Sequence, residues 1–195
     1  AGMHGALRER REVFLVCYVH PVFLTLCFSV HVVPCHHSKR SEREPVKLLV
    51  INNLSSGFGE GAVYDFVRSF MQDGDEACLR STDGTTGVST LLDDAASFDA
   101  VIASGGDGTV ATVSYMLADS GIPVLPFPAG TANLLALNLA SPMEPHALAK
   151  MVREGRTLDF DLGEIEVEGR KFGFGIMAGA GYDAAIMHGA EAGKR

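Results

Sequence analysis

Short apolar runs rich in β-branched residues alternate with helical stretches between residues 46 and 154, and this alternation limits the fold more than any other feature. Several of the apolar runs end at Ser, Gly or Pro residues, as strands do. Alternating strands and helices are the pattern of βαβ units, whose strands form a parallel sheet. We predict strands at residues 46–52, 77–81, 100–103 and 123–127, and helices at residues 60–71, 88–96, 110–117, 134–139 and 145–154.

After residue 155 the pattern changes to an alternation of period two. Leu158, Phe160 and Leu162 alternate with acidic residues, and a similar alternation continues to Val167. Glu168-Gly169-Arg170 has the composition of a hairpin turn, after which the chain returns along 172–177. This pattern predicts antiparallel strands.

The two patterns divide the chain into three parts. We predict an atypical N-terminal extension at residues 1–45, an α/β lobe at residues 46–155 and the beginning of a β lobe at residues 156–195. Because two strands are too few for a stable sheet, we expect the β lobe to be truncated and the chain to be a fragment of a longer protein.

The N-terminal extension permits several interpretations. Residues 13–33 form a mostly apolar run that follows a basic cluster and is long enough to cross a bilayer. The same run resembles a secretory signal, and its β-branched residues would equally suit one or two strands. His31, Cys35, His36 and His37 lack a second Cys or His pair at zinc-site spacing, so chance enrichment explains them better than a metal site.

Net charge excludes one class of function. The chain has a net charge of −8, and residues 46–195 contain 10 basic and 20 acidic residues. A protein that binds nucleic acid by neutralising its backbone phosphates needs a basic face, so we expect no nucleic-acid partner. Backbone amides and a divalent cation can still bind phosphate locally, and an acidic chain is therefore compatible with ATP binding.

The sharpest motif is Ser104-Gly105-Gly106-Asp107-Gly108-Thr109, which lies between a predicted strand and a predicted helix. Its glycines allow a tight turn and a close approach of the backbone to a ligand. The unpaired amides at the start of the helix suit a phosphate group. Asp107 would repel phosphate unless a cation intervenes, which indicates a magnesium nucleotide or a general base for a hydroxyl group. A simple tight connection between strand and helix is the structural alternative.

Two further turns follow predicted strands. Gly130 and the Thr131 hydroxyl could reach a phosphate or a ribose, and Asn133 could read an adenine edge or instead form the turn or cap a helix. Asn53 to Gly59 supplies amide, hydroxyl and glycine groups after the first strand. Because the carboxyl ends of parallel strands share one edge of the sheet, the three turns are predicted to line the same rim.

These motifs resemble the diacylglycerol kinase catalytic family, which includes sphingosine, ceramide and bacterial lipid kinases and is more distantly similar to NAD kinase. The resemblance rests on GGDGT at 105–109, PAGTAN at 128–133, the NxxSG-like segment 53–57 and GYDA at 181–184. It implies an ATP-binding lobe at residues 46–155 and a two-lobed enzyme that transfers the γ-phosphate of ATP, with Mg²⁺, to a lipid hydroxyl in lipid metabolism and phospholipid biosynthesis.

The resemblance also implies roles for particular residues. Asp107 would be catalytic and would contact the metal of Mg-ATP, and Asp161 and Asp183 match acidic positions near the lobe junction that could equally be a solvated strand face and a helix N-cap. The expected nucleotide-binding residues are Asn53, Ser56, Gly57, Thr82, Gly105, Gly106, Asp107, Gly108, Thr109, Gly130, Thr131 and Asn133.

The sequence departs from the family pattern in two places. Leu54 stands where the family usually has Pro after the asparagine, and the family's further acidic motif, a source of the general base, would fall beyond Arg195. We therefore expect that the chain could bind ATP without catalysing transfer. An NAD-kinase-like enzyme and a non-catalytic nucleotide-binding module are the alternatives. The expected partners are ATP and a lipid at a membrane surface, a homo-oligomer remains open, and the expected location is the cytoplasm or the membrane periphery, with residues 13–33 as an alternative membrane anchor.

Overall fold

Four parallel strands form the central sheet of the computed structural model, which describes residues 45–56, 60–82, 87–155, 157–167 and 169–176. The strand order is β2-β1-β3-β4, and the described residues pack as one compact unit. This arrangement confirms the predicted α/β fold with a parallel sheet. The strands are β1 (Lys47–Asn53), β2 (Glu76–Thr82), β3 (Ala100–Gly105) and β4 (Val124–Pro128).

Both faces of the sheet are covered, which explains why β1 is a continuous apolar run. Leu48 and Val50 lie in one core cluster, and Leu49 and Ile51 lie in the other, and all four are fully buried. The first cluster contains residues of the helices α1 (Glu60–Phe70) and α5 (Pro145–Arg153), and the second contains residues of the helix α3 (Asp107–Met116). A strand buried on both faces cannot alternate apolar with polar residues.

The predicted helix over residues 88–96 is wrong in its length. The helix α2 (Val88–Leu91) is a single turn, and a separate 3₁₀ turn follows at Ala95–Ser97. Arg80 of β2 explains the break, because its guanidinium donates to the Leu91 carbonyl at 2.8 Å and binds the Asp94 carboxylate with two hydrogen bonds. Because the Leu91 carbonyl is oriented towards the Arg80 guanidinium, it does not accept the next hydrogen bond of the helix, and the helix ends.

The other helices are close to their predicted bounds, with one consequential shift. The helix α4 (Leu134–Asn138) and α5 end within one residue of the prediction, whereas α3 begins at Asp107 and not at residue 110. The Gly106 carbonyl accepts hydrogen bonds from the amides of Thr109 and Val110, which starts the helix three residues early. The GGDGT segment is therefore partly helical, and Asp107 lies in the first turn of α3.

A buried ion pair holds α5 against the loop that precedes β2. The Asp75 side chain is only 1% exposed and accepts hydrogen bonds from the amides of Val46 and Gln72 and from Arg153. The Arg153 guanidinium also lies 4.3 Å from the centre of the Phe70 ring. Burial by itself raises the pKa of Asp75, but the hydrogen bonds from Arg153 and the two amides outweigh it and hold the pKa below its ordinary value.

A small antiparallel sheet follows the α/β part of the chain. It consists of β5 (Gly163–Val167) and β6 (Arg170–Phe174), and Gly169 has the positive φ of 75° that a tight hairpin turn requires. The alternation that begins at Leu158 predicted a strand too early, because residues 158–162 form no strand and β5 begins at Gly163. Phe160 packs against the second core cluster, so its apolar character reflects burial on the α/β part and not a place in a sheet.

Several sequence predictions concern residues outside the described ranges. They include the apolar run 13–33, the His and Cys cluster at 31–37 and the GYDA motif at 181–184. Within the described ranges, no helix combines the length and apolar character that a bilayer span requires.

Candidate functional site

All four parallel strands end at the same edge of the sheet. Asn53 pairs with Thr82 across β1 and β2, and Gly105 pairs with Pro128 across β3 and β4. The turns that follow β1, β3 and β4 therefore leave the sheet side by side. This edge is where open α/β sheets bind their ligands.

The turn after β3 presents backbone amides next to open space. Gly106 precedes the first residue of α3, so the amides of Asp107 and Gly108 have no acceptor within the helix. A Cβ atom built on Gly106 or Gly108 would meet nothing within 4 Å. A phosphate group can therefore approach these amides, and the helix dipole favours its charge.

The turns after β1 and β3 are joined by a hydrogen bond between side chains. The Asn53 amide nitrogen donates to the Thr109 hydroxyl oxygen at 2.8 Å. Gly105 makes room for this contact, since a Cβ on it would lie 2.6 Å from the Cβ and Oγ1 atoms of Thr109. The Ser56 hydroxyl donates to the Asn53 carbonyl at 2.6 Å and closes the turn on its own side.

The turns after β3 and β4 are in direct backbone contact. A Cβ on Gly130 would lie 2.5 Å from the Gly106 Cα atom, so only glycine fits there without displacement. The Asn133 side chain accepts from the Gly130 amide and donates to the Gly130 carbonyl, both at 2.8 Å. With both polar atoms bound in this way, Asn133 adopts the turn-forming role that the sequence left open beside the adenine-reading role. Thr131 is exposed on the same turn.

Asp107 links the two turns through one carboxylate oxygen, and no described residue donates to the other. Its Oδ1 atom accepts a hydrogen bond from the Leu135 amide at 3.2 Å, which caps the beginning of α4. The described residues contain no group of three or more His, Cys, Asp or Glu side chains that could hold a metal ion. Asp107 fits a magnesium ion that reaches the protein together with phosphate groups, because Mg²⁺ is often bound through one or two carboxylates and substrate phosphates.

Of four other predicted site residues, two are described by the structure and two are not. Thr82 is buried at the end of β2, where its carbonyl accepts from the Leu54 amide at 2.8 Å, and Asp161 is exposed. Gly57 and Asp183 fall outside the described residues.

A buried polar pair that no sequence motif predicted lies at the ends of β1 and β3. The Ser104 hydroxyl donates to the Asn52 Oδ1 atom at 3.1 Å, and both residues are buried. The Asn52 Nδ2 atom is buried and has no acceptor among the described residues. Polar residues at the end of an otherwise apolar strand were the available signal, because such groups are costly to bury without a reason.

The chain thus has a parallel α/β sheet with glycine turns joined along its carboxyl edge, followed by an antiparallel hairpin. The chain belongs to the diacylglycerol kinase catalytic domain family, which matches residues 47–165. This match confirms the resemblance stated from the GGDGT and PAGTAN motifs, and it identifies the chain as a member of a lipid kinase family.

Individual relatives agree with the family. The chain is 39% identical over 90 residues to a diacylglycerol kinase of Mycobacterium tuberculosis, and the aligned segment covers 45% of this chain and 29% of the relative. It is 32% identical over 130 residues to a probable YegS-like lipid kinase of Pectobacterium atrosepticum, and this aligned segment covers 64% of this chain and 43% of the relative. A similar protein of Klebsiella pneumoniae is 28% identical over 148 residues, covering 73% and 48%. The chain thus spans less than half the length of these relatives.

Proposed function

We propose that this chain binds Mg-ATP at the carboxyl edge of its parallel sheet and contributes the nucleotide-binding lobe of a kinase that phosphorylates a lipid hydroxyl. The observation that carries the proposal is the joining of the three turns. Asn53 is bonded to Thr109, and Gly130 is packed on Gly106, so the three turns lie together at one edge of the sheet. Family membership supplies the reaction class.

Each group has a distinct part in this proposal. The amides of Asp107 and Gly108 bind phosphate oxygens, because they lack acceptors in α3 and lie beside open space. The hydroxyl groups of Thr109 and Thr131 supply further donors to the nucleotide. Bound magnesium would neutralise charge on the transferring phosphoryl group. The free oxygen of Asp107 holds the metal-bound nucleotide, while its other oxygen remains on the Leu135 amide.

The acceptor is the finer part of the proposal. Relatives of this chain are described as a diacylglycerol kinase and as probable lipid kinases. We infer that the acceptor is a lipid of the diacylglycerol type, presented in a membrane. Phosphoryl transfer depends mainly on positioning and charge neutralisation, and the turns of this edge supply both for the donor phosphate.

The test is a transfer assay with the complete natural polypeptide that contains this sequence. The protein is incubated with ATP labelled on its γ-phosphate, Mg²⁺ and vesicles that contain diacylglycerol, and separately with NAD⁺. We expect label in phosphatidic acid and a large loss of that label in the Asp107→Asn variant.

The other outcomes are equally specific. Label in NADP⁺ in place of lipid would indicate an NAD-kinase-like enzyme. Binding of ATP in calorimetry without transfer to any acceptor would indicate a nucleotide-binding module. Absence of both ATP binding and transfer would overturn the proposal as a whole.

A further inference from the structure

The helix that begins at the candidate site is also the helix on which the antiparallel hairpin rests. Tyr115, near the end of α3, lies against β6, where Gly173 has no side chain. A Cβ on Gly173 would lie 2.3 Å from atoms of the Tyr115 ring, so the ring fits against the strand only because this residue is glycine. The close fit of the Tyr115 ring against Gly173 therefore fixes where the hairpin packs on α3.

A hydrogen bond also joins Tyr115 to the hairpin. The Tyr115 hydroxyl donates to the carboxylate of Glu164, which is the cross-strand partner of Gly173. Lys171 binds the other oxygen of the same carboxylate at 2.8 Å. The Glu164 side chain is only 18% exposed, so its charge depends on these two partners more than a solvated surface charge would.

The hairpin also reaches the second helix of the site. Gly175 follows β6, and a Cβ on it would be in ordinary contact with Leu135, at 3.7 Å. Leu135 is the residue whose amide binds Asp107. Both helices that begin at the candidate site, α3 and α4, are thus in contact with the hairpin region.

The geometry of α3 connects these contacts to the site. Tyr115 and Asp107 are eight residues apart, which in an α-helix is about 12 Å and slightly more than two turns. A hydrogen-bonded helix of this length moves as a rigid rod, so a rotation of its final turn also displaces the amides of its first turn. The contact of Tyr115 with the hairpin can therefore set the orientation of the groups that face the phosphates.

We propose that Tyr115 is a positioning residue, which fixes α3 to the hairpin through Glu164 and thereby holds Asp107 and the first-turn amides in the orientation that phosphoryl transfer requires. This inference rests on the proposed kinase function. Tyr115 itself contacts no reacting group. Its effect passes through the helix.

The test compares Tyr115→Phe, which removes only the hydroxyl group, with Glu164→Gln, which removes the charge of its partner. Tyr64→Phe is the matched control, because Tyr64 lies on α1 with 48% exposure. All variants are made in the complete natural polypeptide. We expect kcat to fall about tenfold in either variant, equivalent to about 1.4 kcal/mol, with KM for the lipid changed less than about twofold. The control keeps the wild-type kcat.

The double variant tests whether the two residues act as one unit. If they do, Tyr115→Phe combined with Glu164→Gln lowers kcat no further than either change alone. Multiplication of the two losses would overturn the inference. So would a lower melting temperature with an unchanged kcat, because that result describes packing without positioning.

A second measurement keeps the inference testable if the protein transfers phosphate to no acceptor. Hydrogen exchange is measured for the amides of Thr109 and Val110, which donate to the Gly106 carbonyl, and, as a reference, for those of α1. We expect Tyr115→Phe to accelerate exchange of these two amides about fivefold, because weaker attachment of α3 to the hairpin lowers the free energy of opening the helix, and to leave α1 unchanged. Equal exchange in wild type and variant would refute positioning by Tyr115, whatever the fate of the kinase proposal.

Discussion

Substitution of Gly130 by alanine gives the most direct test of the contact between the turns after β3 and β4. The added Cβ would lie 2.5 Å from the Gly106 Cα atom and 3.2 Å from its nitrogen. Carbon atoms in contact are normally about 3.5 to 4.0 Å apart, so the two turns must separate by about 1 Å. Both neighbours are backbone atoms, which cannot rotate away as a flexible side chain would.

The expected cost follows from this displacement. Overpacking of a tight contact costs about 1 to 3 kcal/mol. For a protein of this size, each kcal/mol lowers the melting temperature by about 2 to 4 °C, so we expect a decrease of about 2 to 12 °C. Separation of the turns also misaligns the first-turn amides of α3, and loss of one hydrogen bond to a charged phosphate predicts at least a tenfold weaker affinity for ATP.

Thermal unfolding followed by circular dichroism measures the first effect, and calorimetry with ATP measures the second. The matched control is Gly61→Ala on α1, where a Cβ meets nothing within 4 Å. This control is expected to gain about 0.5 to 1 kcal/mol, because alanine is the better helix former. Wild-type stability and wild-type ATP affinity in Gly130→Ala would refute the argument. A loss of stability with full ATP affinity would show that the joined turns are not part of the ligand site.

Four other substitutions, at three positions, test stability and ligand binding. Gly106→Ala points a methyl group into open space, so calorimetry should show about tenfold weaker ATP binding while denaturant titration shows a change below about 1 kcal/mol; equal losses would contradict a phosphate site. Asp107→Asn keeps an acceptor for the Leu135 amide, so stability should persist while transfer from Mg-ATP falls about a hundredfold. Asp107→Ala should also lose about 1 kcal/mol of stability, and should weaken ATP binding more with magnesium than without it; an equal effect in both conditions would speak against a metal role. Asp75→Asn should cost about 3 kcal/mol at neutral pH, because Arg153 loses its buried partner. Since the pKa of Asp75 is lowered in the folded state, its contribution is complete above its unfolded pKa of about 4 and is lost as the pH falls through the folded pKa. Urea titrations should therefore show the difference between wild type and Asp75→Asn shrinking below about pH 4, and a constant difference would exclude this linkage.

Sequence patterns were most informative where a single element decides the outcome. The four parallel strands were predicted within two residues of their bounds. β1 and β3 are apolar runs buried on both faces, whereas β2, at the edge of the sheet, is only partly buried. The glycines at residues 105, 106 and 130 were also predicted to mark tight turns. Their placement at one edge follows from parallel pairing, which the alternation of strands and helices already implied.

Predictions were wrong where a distant residue changes a local preference. The helix over residues 88–96 ends early because Arg80 binds the Leu91 carbonyl, and Arg80 lies on another element. Residues 158–162 alternate like a strand, but Phe160 packs on the α/β part of the chain. Periodicity records which side of a segment is buried and does not record the partner that buries it.

The sequence by itself determined the class of fold, the succession of strands and helices along the chain and the positions of the glycine turns, since these depend on local periodicity and on backbone freedom. Only the tertiary structure decided how the polar groups are used. Asn133 binds the backbone of Gly130, and Asp107 divides its carboxylate between the Leu135 amide and the open edge. A hydrogen bond joins atoms whose distance in space depends on how whole elements pack, and no pattern along the chain contains that distance.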